Sequence, residues 1–242
     1  MFKKLSLLFV VAVFSLAFIV KANAQNVNSV INSFNAYYSY THTSYASRVG
    51  SVNLNNYNLS LEGAAPVIPV WGQINFSKNF ASANQNAFFG SGKTNDTNYG
   101  VKLGYLINIS SNLAVIPNIG YESITPKTNW TNNSGFSYSE TDHLNQFLLG
   151  VKAYYTPVQN FWVEGQAYYM HGVGNKVDYS VSSANTSLTN GSGYELGAKV
   201  GYEAYKTSNV ILSPFVGLNY QHISTDNNLD TVGILLGVKA SF

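Results

Sequence analysis

Four lysines recur in one short pattern of Gly, apolar, Lys, apolar, any residue, aromatic. They are Lys102 in Gly100–Tyr105, Lys152 in Gly150–Tyr155, Lys199 in Gly197–Tyr202 and Lys239 in Gly237–Phe242. The pattern's glycines are 50, 47 and 40 residues apart, an interval that points to an array of similar supersecondary units. Four carboxylates, Glu122, Glu164, Glu195 and Glu203, fall on the same face of neighbouring runs. Two kinds of chemistry are open to such a set. Interleaved ammonium and carboxylate groups can pair and fill an interior. Lysines crowded into one ring instead make a narrow constriction with anion preference. Lys152 and Glu164 lie across a short turn at 156–160, nearly opposite one another.

Other chemistry is thinner. The four histidines are His42, His143, His171 and His222, all near the ends of alternating runs. His143 follows Glu140 and Asp142, and His222 precedes Asp226. Acid beside imidazole can activate water, but these pairs are sequence neighbours in polar loops rather than a constellation from separate elements. No Gly-x-Ser-x-Gly, His-Glu-x-x-His or phosphate-loop pattern occurs. There is no cysteine, and no histidine or carboxylate cluster has metal-ligand spacing. The expectation is a non-enzymatic protein with no cofactor and no metal.

The elements that hold the lysines are strands. From Tyr99 to Asn108, Tyr99, Val101, Leu103, Tyr105 and Ile107 share one parity, and Gly100, Lys102, Gly104, Leu106 and Asn108 the other. Alternation of this kind over ten or more residues fixes extended structure. Each lysine repeat except the last is followed by a turn, an Asn, a second alternating run and a longer polar loop. Ten strands are expected, near 33–42, 51–61, 67–80, 97–108, 112–124, 144–155, 160–171, 193–205, 210–222 and 231–242; the weak patterning of the first two leaves eight or twelve open. Pro117 and Pro214 fall on the apolar parity, where each removes a ladder hydrogen bond or marks a bulge.

Composition says what the apolar face meets. Charged residues make up only 10% of the chain and aromatics 14%, against roughly 25% charged in soluble domains. Runs of about 11–13 residues are twice the common soluble strand length. Tilted by about 45°, they cross the roughly 25 Å apolar band of an outer membrane. Tyr99, Tyr105, Tyr121, Tyr155, Tyr169, Tyr202, Tyr220 and Phe242 bracket those runs, as an interfacial aromatic girdle does. A sheet in hydrocarbon has to close, because an open edge would leave unpaired backbone groups. The fold class is therefore all-β: a closed antiparallel up-and-down transmembrane barrel. The Gly/Lys/Glu face then lines the lumen, and the loops near 81–96, 125–143, 173–192 and 223–230 lie outside.

At the other end, Lys3 and Lys4 precede a 16-residue apolar run and Ala22-Asn23-Ala24. This reads as a secretory signal peptide over residues 1–24, with the barrel domain over 25–242. Removal of Lys3, Lys4 and Lys21 takes 13 basic residues to 10 against 11 acidic, so the mature net charge is −1. No electrostatic footprint for nucleic acid remains.

The chain resembles bacterial outer-membrane β-barrel proteins of the small porin-like superfamily in its signal peptide, hairpin repeat, aromatic strand ends and terminal Phe242. The barrel of autotransporters is a more distant likeness; only residues 25–32 precede the first strand, so no separate passenger domain is expected. The resemblance implies the outer membrane of a Gram-negative bacterium, contact with its lipid and lipopolysaccharide, and a last strand whose Val238, Ala240 and Phe242 are read by the barrel-assembly machinery. It leaves several roles open: surface contact through the loops, passive transport of small solutes, service as a translocator or adhesin barrel, or hydrolysis like the ten-stranded outer-membrane proteases.

Overall fold

The computed structural model describes residues 27–45, 51–65, 68–81, 83–87, 90–132, 135, 137–180, 186–187, 190–224 and 228–242. The expected signal peptide lies outside them. A short helix α1 (Asn28–Ile31) comes first, then β1 (Ser33–Tyr45), β2 (Ser51–Ala64), β3 (Val70–Ala81), β4 (Ala83–Ala87), β5 (Gly90–Asn95), β6 (Thr97–Tyr105) and β7 (Ile107–Ser110). These are followed by β8 (Leu113–Ile124), β9 (Lys127–Asn132), β10 (Ser137–Tyr155), β11 (Phe161–Gly172), β12 (Lys176–Tyr179) and β13 (Thr186–Ser187). The last are β14 (Ser192–Tyr202), β15 (Tyr205–Lys206), β16 (Ile211–Ser224) and β17 (Leu229–Ser241).

Ten of these strands are staves of one closed antiparallel barrel: β1, β2, β3, β6, β8, β10, β11, β14, β16 and β17. Closure is made by β1 on β17, with Ser33 opposite Ser241 and Tyr45 opposite Leu229. The Phe242 N–H then donates to the Asn32 carbonyl at 3.1 Å, so the seam is bonded to the last residue. The parity read from the sequence holds. Tyr99, Val101, Leu103 and Tyr105 are 54%, 50%, 62% and 55% exposed, while Lys102 between them is 6% exposed. Apolar side chains form the outer surface and the charged ones turn inward, the reverse of a water-soluble barrel.

Both prolines interrupt the pairing with one neighbouring stave. The β6–β8 pairing stops at Gly104–Asn118 and resumes as β7 at Ile107–Val115, skipping Pro117. The β14–β16 pairing stops at Gly201–Phe215 and resumes as β15 at Tyr205–Leu212, skipping Pro214. A missing N–H costs the neighbouring strand its partner at that point. On their other sides Pro117 faces Val151 and Pro214 faces Val238 in continuous register. Across the gap at Pro117 the register is unchanged, whereas at Pro214 it shifts by one residue, as at a bulge; in both places the facing stave breaks off just above its short turn.

The loop regions require a correction. Most of 83–95, 127–143 and 176–187 is paired, as β4, β5, β9, the first residues of β10, β12 and β13. They form a second sheet in which β5 pairs β9, β9 pairs β10 and β10 pairs β12. Its hydrogen bonds are backbone bonds, which polar residues supply as well as apolar ones, and Thr fits strands well. Thr94 and Thr128 hydroxyls bond across it at 2.9 Å. With no apolar alternation to announce it, this sheet reads in the sequence as loop. It raises one side of the wall beyond the apolar band.

Inside, at the short-turn end, the lumen is filled by an apolar cluster. Val27, Val30 and Ile31 of the α1 segment meet Trp71, Ala114, Ile116, Tyr154, Trp162, Phe215 and Leu235. The Val27 N–H bonds to the Ser111 carbonyl at 2.8 Å. Asn32, extended, ends the helix, and its Oδ1 accepts from the Ala64 N–H at 2.8 Å. Each buried Val or Ile here contributes about 1.5–3 kcal/mol. Ten strands leave an interior narrow enough for side chains to fill.

Candidate functional site: a buried lysine–glutamate network

Directly above the apolar cluster, five charged side chains from five staves converge. Lys152 Nζ lies 2.6 Å from Glu62 Oε2 and 3.2 Å from Glu164 Oε1. Lys199 Nζ reaches Glu164 Oε1 at 2.9 Å. Lys239 Nζ lies 3.4 Å from Glu62 and 3.8 Å from Glu164. Glu62 also accepts from Tyr154 Oη at 2.6 Å, from Ser33 Oγ at 3.2 Å and from Asn35 Nδ2 at 3.3 Å. Charges held this deep persist only when paired and hydrogen-bonded.

Three ammonium groups face two carboxylates, and aromatic rings meet the surplus positive charge. Lys239 Nζ is 4.6 Å from the Tyr154 ring centroid and 4.8 Å from that of Trp162. Lys152 Nζ is 5.4 Å from the Trp71 ring. A ring face attracts a cation most strongly where water is excluded. The ionic layer therefore rests on the apolar plug and gains from it.

The exterior carries the girdle. Tyr99, Tyr105, Tyr169, Tyr202 and Phe242 are exposed, and Tyr121, Tyr155 and Tyr220 half-buried. Tyr121 packs edge-on to Phe147 at 5.6 Å and donates to Asn145 Oδ1 at 2.9 Å. Val238, Ala240 and Phe242 occupy the outward parity of β17, with Val238 45% and Phe242 64% exposed.

The autotransporter β-domain family model matches residues 128–239. No curated protein matches the sequence. Among solved structures, the chain is similar to the outer membrane protease OmpT from Escherichia coli, with 9% identity, 87% of this chain and 95% of that one covered, and a TM-score of 0.56. It is also similar to the translocator domain of autotransporter NalP from Neisseria meningitidis, at 9% identity, 87% and 88% coverage, and a TM-score of 0.50. The protein is an outer-membrane β-barrel. At such identities the two structures speak for the fold alone.

Within this outer-membrane barrel, three of the four repeat lysines meet in one network. Lys102 does not join the Glu62–Glu164 pairs; its Nζ sits 4.0 Å from the Tyr168 ring centroid, beside the cavity that Glu122 and Glu195 also line. The expected ring of four lysines is thus corrected to a cluster of three with one lysine apart. Glu203 is corrected too. It follows the end of β14, with its N–H on the Asn160 carbonyl at 2.7 Å, at the turn rather than at the lysine level. Lys152 faces Gln166 in register, and Glu164 faces Tyr154, so the Lys152–Glu164 contact is diagonal.

Glu62 is the residue that sequence reasoning missed. Its signal was the alternation of Ser60 and Glu62 with Leu59 and Leu61, in a strand too weakly patterned to be weighed. Room for two of the lysines comes from glycines on the neighbouring stave: a Cβ on Gly120 would stand 2.8 Å from Lys102 Cγ, and one on Gly217 2.9 Å from Lys199 Cγ.

All four histidines lie on the outward parity, away from the lumen. His42 bonds Asn53 at 2.7 Å and His171 bonds Ser192 at 2.9 Å. His143 pairs with Asp178 at 3.0 Å and His222 with Asp230 at 2.8 Å. Their acids come from the neighbouring strand, not from Glu140, Asp142 or Asp226. Among the described residues, no group of three or more His, Asp or Glu could hold a metal. Asp142, on the outer part of β10, is set apart: burial, and then Glu140 nearby, push its carboxyl up to about 7.

Proposed function

We propose that this outer-membrane barrel is a non-enzymatic, non-conducting scaffold whose work is done at the cell surface by its raised wall and outward-facing cavity. The observation that carries this reading is the filled lumen. Trp71, Tyr154 and Lys239 are 0% exposed, and Trp162, Lys152 and Glu164 are 1% exposed. Ion pairs that satisfy one another inside a plug support stability rather than a solute path, so of the two roles open to the lysines the network is favoured over the constriction. In this reading the girdle contacts lipid and lipopolysaccharide, and the barrel-assembly machinery reads the strand ending in Val238, Ala240 and Phe242. Planar-bilayer recording on pure refolded protein tests it: no unitary steps are expected, and reproducible steps from the wild type would overturn it.

The match to the autotransporter β-domain over residues 128–239 favours a second reading, a translocator barrel. That role requires the α1 segment to leave the lumen so that chain can pass. Cross-linking Val30 to Trp71, each changed to Cys, would leave surface display intact under the scaffold reading and abolish it under the translocator reading.

A further inference from the structure

Above the ionic layer the barrel is not filled. A cavity of about 280 Å3 runs from Tyr37, Lys199 and Leu235 at mid-depth to Thr43 and Thr231 near the outer rim. Five amide side chains in its wall, Asn56, Gln73, Asn75, Gln146 and Asn219, come from β2, β3, β10 and β16. Each has an amide oxygen shielded from solvent and without a hydrogen-bond partner among the described residues. Asn56 and Gln146 are only 8% and 4% exposed. Buried acceptors left unpartnered are costly and rare, and here five belong to side chains from four staves that line one space.

The charge in and below this space nearly balances, with Asp96 near the rim adding one acid to the four pairs beneath it. Lys102, Lys152, Lys199 and Lys239 face Glu62, Glu122, Glu164 and Glu195 across the cavity and the layer beneath it. Glu195 Oε1 already accepts from Gln166 Nε2 at 2.5 Å, and Lys199 is held by Glu164 at 2.9 Å. A site with many amides, at most one surplus acid and no surplus cation suits an uncharged ligand whose groups both donate and accept. Its volume lies near the lower end of the about 300–1,000 Å3 of small-molecule sites.

We propose that the cavity binds a neutral polyhydroxylated ligand of monosaccharide size. The amides of Asn56, Gln73, Asn75, Gln146 and Asn219 swing toward the ligand so that its hydroxyls donate to their oxygens, and one apolar ring face rests on Tyr37. The proposal builds on the closed lumen, since the ionic layer is the floor of the site. The ligand's source is either free sugar or the terminal unit of a polysaccharide.

The test is saturation-transfer NMR and calorimetry on the full refolded barrel in micelles. The probes are glucose, galactose, N-acetylglucosamine and dextran, with glycine and glucuronate as charged comparators. At least one neutral sugar should bind with a Kd on the order of millimolar. Gln146→Leu with Asn219→Leu should weaken it roughly tenfold or more, and His42→Ala, on the outer face, should leave it unchanged. If the double variant does not fold, Asn219→Ala alone should still weaken binding. Dextran binding without any free sugar would support the site and assign the polymer end as its source. No response to any saccharide, stronger binding of glycine or glucuronate, or full affinity in folded Gln146→Leu/Asn219→Leu protein would overturn the proposal. Conductance by a wild-type barrel that still binds sugar in this variant-sensitive way would sink the closed lumen and keep the site.

Discussion

The lower and upper halves of the barrel interior obey opposite rules. Below, Trp71, Trp162, Tyr154 and the α1 segment fill the space, and every lysine of the network has a carboxylate partner. Above, amides and hydroxyls line an open cavity, and several amide oxygens have no partner among the described residues. The wall is the same sheet in both halves, so the difference lies in the inward side chains alone. Density below seals the lumen and holds charge out of water; openness above leaves polar groups available to something else.

The sharpest way to break this contrast is to remove one carboxylate from each half. Glu62→Leu strands Lys152 and Lys239 on a single remaining acid and should cost about 3–5 kcal/mol, read as a lower urea midpoint for the barrel in lipid vesicles. Glu195→Gln, in the upper half, should cost about 1 kcal/mol. Equal losses at the two positions would mean that the halves do not differ in packing.

A smaller effect comes from adding one methyl group. Gly201→Ala drives a Cβ to within 2.3 Å of the Trp162 ring, which the plug holds in place, and should cost about 1–3 kcal/mol. Gly233→Ala approaches Asn219 Oδ1 at 2.0 Å, but that amide can swing into the cavity, so the cost should stay under about 1 kcal/mol. Thermal unfolding in the same micelles compares the two.

The raised wall should respond to pH. With the Asp142 carboxyl at about 7 when folded and near 3.8 when free, the folded wall binds the extra proton. Its stability is fully present below the free value and is lost as pH rises through about 7. Limited proteolysis in the 125–143 region should therefore speed up as pH rises from about 4 to about 7 and level off above that, and Asp142→Asn should flatten that dependence. The smallest effect is expected at the surface: His143→Ala, which breaks a half-exposed pair with Asp178, should shift stability by less than about 1 kcal/mol.

Much of the barrel could be read before any coordinates. Alternation at Tyr99–Ile107 located a stave and its lipid face, because side chains on a strand have only two directions to take. The outward direction of Tyr99, Tyr105, Tyr169 and Tyr202 followed from the same rule. The upper sheet escaped notice because its strands bond through backbone and carry no apolar face. Glu62 escaped because its partners, Lys152 and Lys239, lie 90 and 177 residues away, and nothing local marks such a meeting.

The sequence by itself determined which residues face lipid and which face inward, since period-two alternation and hydrocarbon leave one consistent arrangement. It also determined that the sheet must close. Only the tertiary structure decided which inward charges meet. Stave stagger, and the gaps at Gly120 and Gly217 beside Lys102 and Lys199, set where these side chains reach, so a repeat that treats four lysines alike becomes three in a network and one beside a cavity.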